Sequence, residues 1–176
     1  MEESNETQPI STNAVSSDTR GGPWLPVVLA AIGVGVVLSG IFSGATGLYG
    51  DVGTITLTDG FKETGRELFR LVLFSLLLLV AFRVYCWKAQ RPFGNLLLAA
   101  LRCLAIIALV EAVRVAQIPH SVMRTILIIA AQYIVCSIAV LSLFVMTIRE
   151  TILFVAWCTA GGALLWAGAH IGIWIT

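Results

Sequence analysis

Charge is scarce in this chain. Lys and Arg number 11 and Asp and Glu 10 in 176 residues, so charged side chains make up 12% of the sequence, where a soluble domain carries about a quarter. The two signs nearly cancel, to +1 at pH 7, which leaves no global field to draw in nucleic acid or an acidic partner. Histidine is scarcer still: His120 and His170 stand alone and far apart. The four cysteines, Cys86, Cys103, Cys136 and Cys158, form no Cys-x-x-Cys pair, and no histidine lies three to five residues from any of them. Zinc and iron–sulfur ligation therefore have no ligand set here, and no metal or cofactor is expected. Gly-x-x-x-x-Gly-Lys-Ser/Thr, Gly-x-Gly-x-x-Gly, His-Glu-x-x-His and Gly-x-Ser-x-Gly are all missing, which removes the motif-based grounds for nucleotide, zinc-protease or serine-hydrolase chemistry. The expectation is a protein that is not an enzyme.

What the sequence does contain is apolar. Hydrophobic residues make up 58% and the mean hydropathy is +0.93. The excess falls in blocks of roughly 20 residues, the length of a bilayer-spanning helix. The expected fold is all-α: a polytopic membrane helix bundle with five transmembrane helices, over approximately 24–43, 66–86, 94–116, 122–147 and 151–175. Thr64-Gly65-Arg66-Glu67 has the form of a capping box and is read as the start of the second span. The segment before it, 44–63, is a Gly- and Thr-rich loop, in which "ITLT" reads as a short strand or an interfacial turn. Pro92 and Gly94 break the chain between the second and third spans. "TIRE", 147–150, is the polar break between the last two spans, which form a hairpin.

Residues 1–22 are polar and acidic, with Glu2, Glu3, Glu6 and Asp18 against Arg20. They lack the apolar surface needed to offset ordering, and read as a disordered tail; residues 23–176 form the transmembrane domain. Trp24, Trp87 and Trp174 fit the interfacial belt of such a domain. Cys86, beside Trp87 and Lys88, has the position of an acylated juxtamembrane cysteine. Basic residues in short loops favour the cytoplasm. Arg83, Lys88 and Arg91 concentrate between the second and third spans, so the N-terminus is placed inside and the C-terminus outside, with the plasma membrane the expected location.

The third apolar run is the exception to the rule of scarce charge, since Arg102, Glu111 and Arg114 interrupt it. One reading has Arg102 snorkel to the inner surface and Glu111 pair with Arg114, three residues on. Another turns Arg102 or Glu111 inward, beside Gln132 and Tyr133 of the fourth span, as a polar site. A third lays this helix in the interface, leaving four spans. Small residues recur on the outer helices: Gly35, Ser39, Ser43 and Gly47, with Gly40-x-x-x-Gly44, and later Ala156, Ala160 and Gly168-x-x-x-Gly172. Four-residue spacing places them on one helix face, where backbones approach closely in lipid; Gly35, Ser39, Gly40, Ser43, Gly44, Gly168 and Gly172 are the expected packing positions.

"SGIFSG", 39–44, with Ala169-His170-Ile171-Gly172 downstream, resembles fragments of rhomboid proteases, which implies a serine–histidine pair of Ser39 and His170. Val37 stands where that family has a glycine, and the interval to His170 is longer than the family's. Three functions follow for test. The first is a non-enzymatic subunit or organising protein of a membrane, with the bilayer, other membrane proteins or a second copy as partners. The second is a transporter or channel component lined by Arg102, Glu111 and Gln132, and the third an intramembrane hydrolase.

Overall fold

The computed structural model describes residues 22–43, 57–115 and 122–175, the side chains of 57, 122–125 and 163–175 excepted. The acidic tail, the stretch 44–56 with Gly44 and Gly47, and the 116–121 connection lie outside the described residues. Every described element is helical: α1 Trp24–Phe42, α2 Leu57–Lys88, α3 Leu96–Ala112 continued by a single 3₁₀ turn Val113–Val115, α4 Val122–Leu143 and α5 Ile148–Ile175. Among the described residues, four helices are long and apolar enough to cross a membrane: Trp24–Phe42, Thr58–Lys88, Leu96–Val115 and Ile126–Leu143. No more than 39% of the most apolar stretch of any of them is buried inside the molecule, so these helices turn most of their apolar surface outward.

Local sequence sets the helix ends, in three cases differently from expectation. Helix α2 begins well before the Thr64–Glu67 motif. The Thr64 hydroxyl donates 2.8 Å back to the Gly60 carbonyl, the bond of a threonine inside a helix rather than at its cap. The capping box sits instead at Thr147-Ile148-Arg149-Glu150. The Thr147 hydroxyl accepts from the Glu150 N–H at 3.3 Å, and Glu150 Oε2 accepts from the Thr147 N–H at 2.7 Å, so "TIRE" starts α5 reciprocally. Helix α4 ends at Leu143, short of the expected 147, because those residues are spent on the turn and this cap.

The α2–α3 connection is also built by capping. Gln90 adopts φ +52; its N–H donates to Trp87 O at 3.3 Å and the Arg91 N–H to Cys86 O at 3.0 Å. That pair of bonds is a Schellman ending, and Pro92 follows where the helix cannot continue. Asn95 then caps α3, its side-chain oxygen accepting from Leu97 N at 3.0 Å and Leu98 N at 3.3 Å.

Helix α3 lies at the centre, packed against α1, α2 and α4. Its small residues allow this: Ala99, Cys103, Ala105 and Ala108 are fully buried. Helix α3 is one of the four candidate spans, and the helices packed round it cover its small residues. The approach to α1 is tight: a Cβ on Gly33 would stand 2.6 Å from the Ala108 carbonyl carbon. The buried stripe of α1 is Pro26, Ala30, Gly33, Val37, Gly40 and Ile41. Of the expected packing positions on this helix, Gly40 is buried, but Gly35, Ser39 and Ser43 are not, and a Cβ on Gly35 would meet nothing within 4 Å. The four-residue ladder is one face of α1, and the bundle uses another, roughly 150° round the helix at 3.6 residues per turn. On α5, Ala156 and Ala160 are exposed; the surroundings of Gly168 and Gly172 lie outside what the structure describes.

Beside α3, Phe82 stacks on Phe144 (centroids 4.1 Å, 20°) and on Phe154 (4.1 Å, 29°), with the Tyr85 ring edge-on to Phe154 at 5.8 Å. This aromatic column ties the α4–α5 hairpin to α2, each contact adding about 0.5–1.5 kcal/mol beyond its area.

Candidate intramembrane polar site

The charges of α3 fall into two separate places. Arg102 is 0% exposed and the largest fully buried side chain, which overturns the snorkelling assignment. Its guanidinium carbon lies 5.8 Å from the centroid of the Phe144 ring, so it continues the Phe154–Phe82–Phe144 column with a cation over an aromatic face. Position decides this outcome. Arg102 stands between Ala99 and Ala105 on the buried stripe of the helix that α1, α2 and α4 pack against, and its stem has no outward route.

Glu111 lies nine residues further, about 13 Å along the axis, at the other end of the helix. It is 11% exposed and accepts from two guanidinium groups: Arg70 Nη2 to Oε1 at 2.9 Å and Arg114 Nη1 to Oε2 at 3.0 Å. Arg70 also reaches Glu67 Oε1 at 3.2 Å. Two carboxylates and two guanidinium groups therefore alternate as Glu67–Arg70–Glu111–Arg114, a neutral chain of charge-assisted bonds fastening α2 to α3. Arg70 also lies 5.6 Å from the Phe74 ring centroid. Gln132 joins this end of the bundle from α4, its amide donating to the Val110 carbonyl at 3.3 Å. Its neighbour Tyr133 turns the other way, to the Ile152 carbonyl of α5 at 3.3 Å.

In the sequence Glu67 reads as part of a helix start, and Arg70 carries no expectation there. The signal that finds them is the i, i+3 spacing of two opposite charges just ahead of an apolar run, matched by the same Glu-x-x-Arg spacing at Glu111 and Arg114. Glu111, Arg114 and Gln132 come to one end of α3 and Arg102 to the other, so the four do not make a single site.

A third polar cluster closes the opposite end of the bundle. Arg91 Nη1 meets the Glu150 carboxylate at 3.3 and 3.4 Å, and its Nη2 donates to the Val145 carbonyl at 3.0 Å. Glu150 also bonds the Tyr85 hydroxyl. Burial works against the charged form of Glu150. The Thr147 N–H, the hydroxyls of Tyr85 and Thr147, and the Arg91 charge outweigh it and hold the carboxyl below its usual range. This cluster staples the α2–α3 connection to the start of α5.

None of these arrangements sets a nucleophile beside a base. No group of three or more His, Cys, Asp or Glu fit to hold a metal occurs among the described residues. Ser39 is not buried on α1, and the side chain of His170 lies outside the described residues. Cys86 is 2% exposed and packed in the core, so it is not presented for acylation. The chain matches no protein-family model, no curated protein and no solved structure.

Proposed function

We propose that this chain is a multi-pass integral membrane protein that works as a non-enzymatic subunit or organising protein, through contacts made by its helices. The observation that carries the reading is the outward apolar surface of four helices long enough to span a bilayer. A soluble bundle would bury that surface; in lipid it is already solvated. The polar groups support the structural role, since each charge chain described above fastens one helix to another. In this reading α5 crosses as a fifth span, the N-terminus is cytoplasmic and the C-terminus lies outside, at the plasma membrane. The small residues Gly35, Ser39, Ala156 and Ala160, left outside the core, are where a second copy or another membrane protein seats, because small side chains let a neighbouring backbone come close. The test is alkaline extraction of membranes from expressing cells, followed by mild-detergent purification. Retention in the pellet and a stoichiometric co-purifying membrane protein or self-dimer support the reading; release into the supernatant overturns it.

A second reading, a transporter or channel component, draws on Arg102, a fully buried cation in an apolar bundle, because ionisable groups at such depth often mark a solute path. Flux across vesicles holding the Arg102→Leu or Glu111→Leu chain separates the two. Loss of a measured flux with folding intact favours transport.

A further inference from the structure

The left-handed Gln90 turn folds the chain back, so Arg83, Val84 and Trp87 of α2 face Gln90, Arg91 and Phe93 across a cleft of about 600 Å³. Among the described residues no carboxylate lines it. Its two cations differ in state. Arg91 is committed to Glu150 and the Val145 carbonyl, whereas Arg83 lies 5.4 Å over the Phe93 ring and meets no carboxylate among the described residues. Lys88, just past Trp87 and not buried, adds a further cation at the rim. An apolar stripe leads up to this point along α2: Leu76, Val80 and Val84, four residues apart and 54%, 60% and 52% exposed, end beneath Trp87, which is 82% exposed.

We propose that this cleft holds the anionic headgroup of a membrane phospholipid. The phosphate sits on the Arg83 guanidinium, and an acyl chain lies along Leu76, Val80 and Val84. A guanidinium presents paired donors that fit two phosphate oxygens, and here it has an aromatic ring, not a carboxylate, to fix its plane. The indole of Trp87 has the amphipathic character of the headgroup layer. The cleft is larger than a free phosphate requires, and the stripe leading from it is what a lipid tail, and not a soluble phosphate ester, would cover. The inference rests on the membrane reading above.

The test uses the full chain in phosphatidylcholine vesicles that contain either brominated phosphatidylglycerol or brominated phosphatidylcholine as the minor lipid, with tryptophan quenching as the readout. The Trp87 component is isolated by subtracting the Trp87→Phe chain. Brominated phosphatidylglycerol should quench it as though enriched about fivefold over its bulk fraction, the weight of one cation at an anionic surface. Arg83→Gln should reduce that preference to the level of the neutral lipid, and Arg83→Lys should keep part of it. Soluble glycerol phosphate should leave the quenching unchanged. Equal quenching by the two lipids in the unsubstituted chain, which needs no variant to fold, overturns the proposal. So does an unaltered preference in Arg83→Gln, or competition by glycerol phosphate, which would assign the cleft to a soluble phosphate. Flotation with the vesicles is scored separately: a chain that floats but shows no preference loses only the headgroup site, while a chain that does not float sinks the membrane reading with it.

Discussion

Gly33 of α1 and Ala108 of α3 stand so close that a Cβ on the glycine would lie 2.8 Å from the alanine Cβ as well as 2.6 Å from its carbonyl carbon. The main chain is one of the atoms in the way, so no rotamer relieves the clash. Gly33→Ala should push the two central helices apart and cost about 1–3 kcal/mol, as overpacking does. Gly35→Ala, two residues on and facing open space, should be neutral or gain up to about 1 kcal/mol from helix propensity. Melting of the purified chain in detergent measures both; equal losses would show that α1 packs through a different face.

Glu111 is the shared centre of the ion chain, so its loss should exceed the loss of Arg114 beside it. Glu111→Gln leaves two guanidinium groups facing a neutral amide and should destabilise by about 1–3 kcal/mol, between the values for exposed and buried pairs. Arg114→Gln removes a partner that is 34% exposed and should cost under about 1 kcal/mol. A double-mutant cycle on Arg70 and Glu111 should return a coupling of about 0.5–3 kcal/mol. A coupling near zero would reduce the contact to proximity.

The Thr147–Glu150 box predicts a cap effect and a pH effect. Thr147→Ala should lower stability by about 1 kcal/mol. Glu150 is held below the usual carboxylate range, so the folded state favours its ionised form. Its stabilising contribution is full above the unfolded value of about 4.3 and fades as pH falls through the lowered folded value. Melting followed from neutral pH into that acid range should show this loss in the parent chain and lack it in Glu150→Gln. An identical profile in both would remove the carboxylate from the account.

Gln90 holds a positive φ of 52°, which side chains with a Cβ adopt only at a cost. Glycine there should stabilise the α2–α3 turn by up to about 1 kcal/mol. Valine in its place should do the reverse, because a branched side chain is least tolerant of that region. Thermal melting of Gln90→Gly and Gln90→Val decides it: a fall in Gln90→Gly would mean the Gln90 side chain itself contributes to the cleft.

Much of the helical layout was legible because an apolar run of bilayer length is seldom anything but a helix. Helix ends were less so. Thr64–Glu67 and Thr147–Glu150 carry the same Thr-x-x-Glu pattern, and only the second caps a helix, because the chain before Thr64 is itself helical and occupies the bonds a cap would make. The direction in which Arg102 points was beyond reading from one helix, since it depends on α3 being surrounded. The Arg70–Glu111 contact joins positions 41 apart, and no local spacing encodes it. On α1, Gly33 and Gly35 are equivalent as letters; which one meets α3 is set by the rotation of the whole helix.

The uncharged run of α2 is short. Arg70 and Arg83 bracket residues 71–82, about 18 Å of helix against a hydrocarbon layer of about 30 Å. Helix α1, with no charge from Trp24 to Phe42, covers about 28 Å. In the proposed membrane setting, the two helices thus present uncharged stretches of unequal length, a difference that a bilayer meets by local thinning or by helix tilt.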